Sequence, residues 1–338
     1  MSWTPLLLSD PSPNLRYLVL KHLLDEPDEA EELKNLRHQD PIIKHLLTTQ
    51  NSDGSWSPES ITGNAPQGKI QTTAQALTRL GYMELEHPAI TKAAEYLYSQ
   101  QEKDGSWLLG NYKADSDGAD GYDVMSLQTS LPLRGLTTAG YAEDPRSEQA
   151  FDWLQEQQLP DGAWPTGVAR DVYGYVAGYR RLPHSRWGCR SNTTAAVTCL
   201  SMHPERRKSS ETRRGMGHLL GRETRERYYL GFEIARIVGA EPSTGFITYY
   251  ARFDVAHILK LLTHVGAATS DQQVDDLVDF IKDQQNMYGF WEYAQPQASR
   301  WITYDVLRTL KGVLSESDWV NLEPRTPFQP YPKKRKRF

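Results

Sequence analysis

Gln101-Glu102-Lys103-Asp104-Gly105-Ser106-Trp107 is the stretch whose reading decides the fold. Its pattern is Gln, two free positions, Asp-Gly, a small residue and Trp. The pattern recurs at Gln50-Asn51-Ser52-Asp53-Gly54-Ser55-Trp56 and at Gln158-Leu159-Pro160-Asp161-Gly162-Ala163-Trp164. A weaker copy is Gln285-Asn286-Met287-Tyr288-Gly289-Phe290-Trp291. Successive Gln residues lie 51, 57 and 127 positions apart. The last interval is about double, so one copy has decayed in between. A period of this size is the mark of a repeat architecture.

Around each motif two helix types alternate. One is rich in Ala, Leu and Thr and is read as uncharged, the at most two charged residues in each helix set aside, as in 72–80, 124–139, 192–202, 253–265 and 301–310; such helices have to lie inside. The other carries charge on one face, as in Asp275-Asp276-Leu277-Val278-Asp279-Phe280-Ile281, and has to lie outside. Asp40-Pro41, His87-Pro88 and Asp144-Pro145 have the N-cap and Pro-N1 form that opens a helix. The segment 316–322 is the expected outer partner of the last inner helix. Six hairpins of this kind close into a ring, so the fold class is all-α, a single (α/α)6 toroid. An open solenoid would need polar end repeats, and the first and last inner helices are as apolar as the middle ones. Within the motif, Asp-Gly makes a tight turn, the Gln amide bonds backbone at a helix end, and the Trp covers the joint between hairpins.

Composition narrows the function. The 338 residues carry a net charge of −5, which argues against nucleic acid as a specific partner. Cys189 and Cys199 provide no disulfide framework, which fits a reducing, cytoplasmic setting. The first ten residues have neither the charge nor the apolar length of a signal peptide or a membrane span. Residues 1–322 are expected to form one domain. Residues 323–338 are a Pro-rich basic tail expected to be disordered, ending Lys333-Lys334-Arg335-Lys336-Arg337-Phe338. That run suits peripheral contact with anionic lipid, a nuclear address, or a plain solubilising tail.

Q-x-x-D-G-x-W repeats on α-hairpins resemble the QW motifs of squalene–hopene and oxidosqualene cyclases. The wider superfamily includes class II diterpene cyclases and the β subunits of protein prenyltransferases. The resemblance runs from Pro13 to Leu314. It looks most like short single-barrel proteins with prenyltransferase or squalene-oxidase repeats, which Asn14-Leu15-Arg16-Tyr17 and Ser299-Arg300-Trp301-Ile302-Thr303 also fit. What the resemblance implies is a terpene cyclase-like or prenyl-transfer-like protein holding an isoprenoid or other lipid in its central cavity. The motifs are specific for the fold and not for an activity, so two other readings stay open. One is a non-catalytic lipid- or partner-binding scaffold; the other is a glycan-active enzyme on the same ring.

Class II cyclases use a D-x-D-D motif, whose protonated Asp donates to an alkene or epoxide. This chain has none; the nearest piece is Asp115 to Asp123, with Gly118 where the second adjacent Asp belongs. Asp117 and Asp123 are the candidate acids there, and the bland alternatives are a solvated loop or a loose Mg-type cation site. Asp254, at the start of the fifth inner helix, is a third candidate. Prenyltransferases hold zinc with Asp, Cys and His; the same residue types occur here as Cys189, Asp254 and His257, the last two sharing a helix face. Trp187, Tyr179, Tyr249, Tyr250, Phe253, Trp301 and Tyr304 cluster before inner helices, where aromatic faces would bind an isoprenoid and stabilise cations. Arg190 is placed to hold an anionic head group.

Overall fold

The computed structural model describes residues 3–61, 68–108, 125–165, 168–169, 172–173, 182, 184–221, 228–242, 250 and 252–320. The helices in order are α1 (Thr4–Leu8), α2 (Pro13–Val19, continued by a π turn, Leu20–Leu24), α3 (Pro27–Glu32), α4 (Pro41–Thr49), α5 (Lys69–Tyr82), α6 (Pro88–Ser99) and α7 (Ser126–Thr138). They continue as α8 (Pro145–Glu156), α9 (Arg190–Met202), α10 (Ser210–Leu220), α11 (Phe232–Ile237), α12 (Val255–His264), α13 (Gln272–Asp283) and α14 (Pro296–Lys311). Regular strand pairing among the described residues is limited to Val168–Ala169 against Val172–Tyr173. No described helix is long and apolar enough to cross a membrane.

The chain forms the all-α toroid that the repeats demand. Inner helices α5, α7, α9, α12 and α14 follow one another around the ring, and α14 closes onto the π turn after α2. At the closure the Lys311 ammonium donates to the His22 carbonyl at 3.2 Å, while Lys21 and His22 bond Glu84, just past α5, at 2.8 Å. Burial separates the two helix classes. In α7 every residue from Ser126 to Thr137 is buried, whereas α13 buries only Val274, Val278 and Ile281. Outer helices start as their caps require: Asp40, Asp144 and Asp271 side chains accept from the first free amides of α4, α8 and α13. One continuous apolar core runs from Trp3 to Trp319.

Each motif is a joint with three repeated bonds. The Trp indole N–H reaches back to its own outer helix, from Trp56 to Leu46, Trp107 to Leu97, Trp164 to Leu154 and Trp291 to Ile281, at 2.7–2.8 Å. The Trp backbone N–H donates to a Thr hydroxyl on the next inner helix: Thr73, Thr129, Thr193 and Thr303. The Gln amide holds the carbonyl of the motif Gly. In the first three copies it also holds the second residue of the following outer helix, at Ala89, Arg146 and Glu211. Motif glycines sit at φ +89°, +92° and +97° with backbone or Cβ of that next helix where a side chain would go, so the turn admits only Gly.

The expected outer helix over 316–322 is not formed in its described part. After α14 the chain runs back beneath α13 and α10. Leu314 and Ser315 carbonyls accept from Thr269 and Ser270, both at 3.0 Å, and Asp318 pairs with Arg213 at 2.7 Å. Those bonds satisfy the backbone in extended form, so nothing drives it to coil. The inner helices are also not free of charge. Arg79, Arg134, Lys260 and Asp305 all lie on them.

Candidate functional site

Where the fourth motif would stand, the chain leaves the shell instead. Between α10 and α12 it feeds α11 into the ring. All six residues of α11 are buried, and the helix touches α5 and α14. Gly231 opens it at φ +81°, and a Cβ there would lie 2.6 Å from Ile302 of α14. The Asp254 side chain caps α11, accepting from the Gly231 amide at 2.9 Å and the Glu233 amide at 2.7 Å. Its Oδ1 also accepts from Ala256 at 3.1 Å, so one carboxylate caps two helices. On the far side the Arg79 guanidinium donates to the Arg236 carbonyl at 3.1 Å.

Beside α11 lies a chamber on the ring axis, walled by α5, α7, α9, α12 and α14 together with α11 itself. Its volume is about 50 Å³, room for a few waters at roughly 10–15 Å³ each. The wall is heavily charged. Glu233 forms ion pairs with Arg134 and Arg236. Arg134 also donates to the Tyr250 hydroxyl at 2.6 Å. Lys260 pairs with Asp305 at 2.7 Å, and Tyr82 donates to the same oxygen at 3.2 Å. Burial pushes the Glu233 carboxyl up, but Arg134 and Arg236 outweigh it and hold the group below the usual carboxylate range.

Two further groups titrate abnormally. Burial raises Asp254 to about 6 against the pull of the Glu233 and Gly231 amides. Burial lowers His257 to about 3, although Glu233 favours its charged form. His257 bonds the Thr198 hydroxyl at 3.0 Å and stacks on Tyr250 with ring centroids 5.7 Å apart. Asp254 is therefore a buried acid at an inner-helix N-terminus whose carboxyl is raised above the usual carboxylate range.

Tyr250, Phe253 and Arg190 surround a smaller recess next to the chamber, with Asp254 and His257 between the two. Trp187 is half-buried with Arg186 over its ring at 5.0 Å. Trp301 and Tyr304 are core residues rather than chamber wall; Trp301 packs on Tyr82, and Tyr304 bonds Arg308 at 3.1 Å. Asp117, Asp123, Tyr179 and Tyr249 lie outside the described residues. Among the described residues no three His, Cys, Asp or Glu side chains converge to hold a metal, so Cys189, Asp254 and His257 do not form the zinc set considered from sequence. The reason is local. Asp254 spends its oxygens on amides, His257 is bonded to Thr198, and Cys189 is a buried free thiol at the cap of α9. Sequence reasoning missed Arg134, Glu233, Arg236, Lys260 and Asp305. The available signal was charge inside helices that have no exposed face to put it on.

A family model described as the squalene–hopene cyclase C-terminal domain matches residues 19–182, the span that holds the three intact motifs. A probable squalene–hopene cyclase of Sinorhizobium fredii is 32% identical over 150 residues, covering 41% of this chain and 22% of that protein. Over that span the chain is similar to squalene–hopene cyclases. A squalene–hopene cyclase of Zymomonas mobilis is likewise 32% identical, over 149 residues, with 43% of this chain and 21% of that protein covered. The chain thus spans about a fifth of the length of the curated relatives it matches. Among solved structures, the type II terpene cyclase MstE of Scytonema aligns at 16% identity with a TM-score of 0.34, covering 80% of this chain and 95% of that one.

Proposed function

We propose that the chain is a terpene cyclase-like protein that takes an isoprenoid into the space on its ring axis. The observation that supports this best is Asp254, a buried acid in the chamber wall that burial raises to about 6. An acid kept protonated into this range by burial is the group needed to protonate an alkene or epoxide. In such a step the π pair or epoxide oxygen takes the Asp254 proton, and a cation develops on carbon beside the faces of Tyr82 and Tyr250. On the same reading residues 1–322 form one domain, and the continuous core supports it.

The test is incubation with geranylgeranyl diphosphate, squalene and oxidosqualene, followed by a search for new hydrocarbons or alcohols. The expected result is a product from the native chain and none from Asp254→Asn with an unchanged helical circular dichroism spectrum. No product from any of the three, with the native fold intact, would overturn the catalytic reading. A chamber of about 50 Å³ against the roughly 300–1,000 Å³ of ordinary ligand pockets favours a second reading, a non-catalytic lipid- or partner-binding scaffold. A co-purifying lipid without turnover, seen by native mass spectrometry, would decide for it.

A further inference from the structure

We propose that α11 is a removable plug: the chain inserts this helix into its own ring, and the helix withdraws as a unit to make room for a ligand. The inference rests on the reading that the ring axis is the ligand site. Volume is the first argument. The described chamber on the ring axis holds about 50 Å³, and α11 forms one of its walls.

The second argument is attachment. Every other described connection from outer to inner helix is stitched by a Trp–Thr bond and a Gln amide. The connection from α10 to α12 carries no such motif. Among the described residues it is tied instead at the inner-helix N-terminal mouth, where the Tyr228 hydroxyl donates to Gln284 at 2.9 Å. Tyr229 exchanges backbone bonds with Phe253 and Val255 at 2.8 and 2.9 Å, and Glu241 accepts from the Tyr293 hydroxyl at 3.0 Å. These anchors lie at the same end of the ring, so the segment between them hangs into the ring as a loop. It swings out without unthreading.

The third argument is how the loop is built. Glycines with positive φ flank the helix, Gly231 at +81° and Gly239 at +77°. Six residues are too few to hold a helix without docking, so α11 is either seated or melted. Its seat is mixed: Ile234, Ala235 and Ile237 join the apolar core, while the polar part is the Asp254 cap, the Glu233 pairs with Arg134 and Arg236, and the Arg79 bond to the Arg236 carbonyl. Polar bonds of this kind pass to water or to a ligand head group, which apolar helix packing cannot do. Asp254 keeps its bond to Ala256 and Arg134 its bond to Tyr250 when the plug leaves.

Hydrogen exchange with mass spectrometry on the full chain tests this, with geranylgeraniol as the probe ligand. The expected result is exchange over 230–240 at least about tenfold faster than in α5 and α7. Glu233→Gln should raise it about tenfold more and leave α5, α7 and α9 unchanged, and geranylgeraniol should raise it too while protecting the inner helices. Should Glu233→Gln not fold, Arg79→Met removes one bond to α11 and supports the same measurement. Exchange over 230–240 equal to that of α7 in both proteins would overturn the plug. So would geranylgeraniol that binds without changing it. Local opening in the variant with no binding of geranylgeraniol would leave the plug standing and remove the isoprenoid reading.

Discussion

The passage from α6 to α7 and the passage from α10 to α12 do the same topological task in opposite ways. In the first, Trp107 bonds back to Leu97 and forward to Thr129, and Gln101 clamps the turn to Arg146 of the next outer helix. The chain is held in the shell. In the second, the motif is gone and the segment enters the ring, where buried ion pairs hold it. The repeat motif is therefore a fastening, and losing one copy released a length of chain for another use. The ring tolerates the loss because its neighbours on either side keep their own joints.

The largest way to break this contrast is to undo an intact joint. Trp107→Ala removes a fully buried indole and leaves the Leu97 carbonyl without its donor, so it should cost about 3–5 kcal/mol. Urea unfolding measures it. A loss below about 1 kcal/mol would mean that the motif is not what holds the hairpins together.

A finer comparison uses copies of the motif against each other. Among the described residues Gln158 bonds both Gly162 and Glu211, whereas Gln285 bonds only Gly289. Gln158→Ala should therefore be the more costly of the two, by about one hydrogen bond, roughly 0.5–1.5 kcal/mol. Equal losses would show that the bond to the next helix contributes nothing.

A third effect, read as a slope with pH, lies in the chamber beside the decayed repeat. His257 takes its proton near 6.5 when unfolded but at about 3 when folded. Its contribution is whole above the unfolded value and is lost as pH falls towards the folded one. His264, lowered by burial to about 4, acts in the same direction. Asp254 opposes both, because its folded value is raised to about 6 and the folded state gains as pH drops below that. His257→Gln should flatten the acid limb by up to about 1.4 kcal/mol per pH unit between about pH 4 and 6. Urea unfolding at several pH values reads the slope, and an unchanged slope would place the histidine outside this linkage.

The toroid was legible because each copy of the motif constrains a turn, an outer helix and an inner helix together. Asp53, Asp104 and Asp161 with their glycines could not sit in any other backbone. The threonines that receive the Trp amides were hidden among many others in small-residue helices. The plug was not legible, because 221–254 has neither period nor motif, and Phe232–Ile237 looks like any short apolar run. Arg134, Lys260 and Asp305 had been absorbed into helices read as uncharged, which concealed the character of the chamber. The Cys189–Asp254–His257 set failed for the converse reason. Residue types suited to zinc sat near helix starts, and helix starts have their own uses for them.

The two ends of the ring differ in how their connections are made. At one end inner helices pass to outer ones through tight corners such as 83–87, 139–144 and 265–271. At the other the sequence between a motif Trp and the next inner helix is longer, as in 57–68, 108–125 and 165–189, and short at 292–295. Substitution and insertion are thus cheap on one face of the molecule and expensive on the opposite one. Descendants of such a chain would diversify by rewriting a single rim, while the corners beneath remain a frame that drifts little.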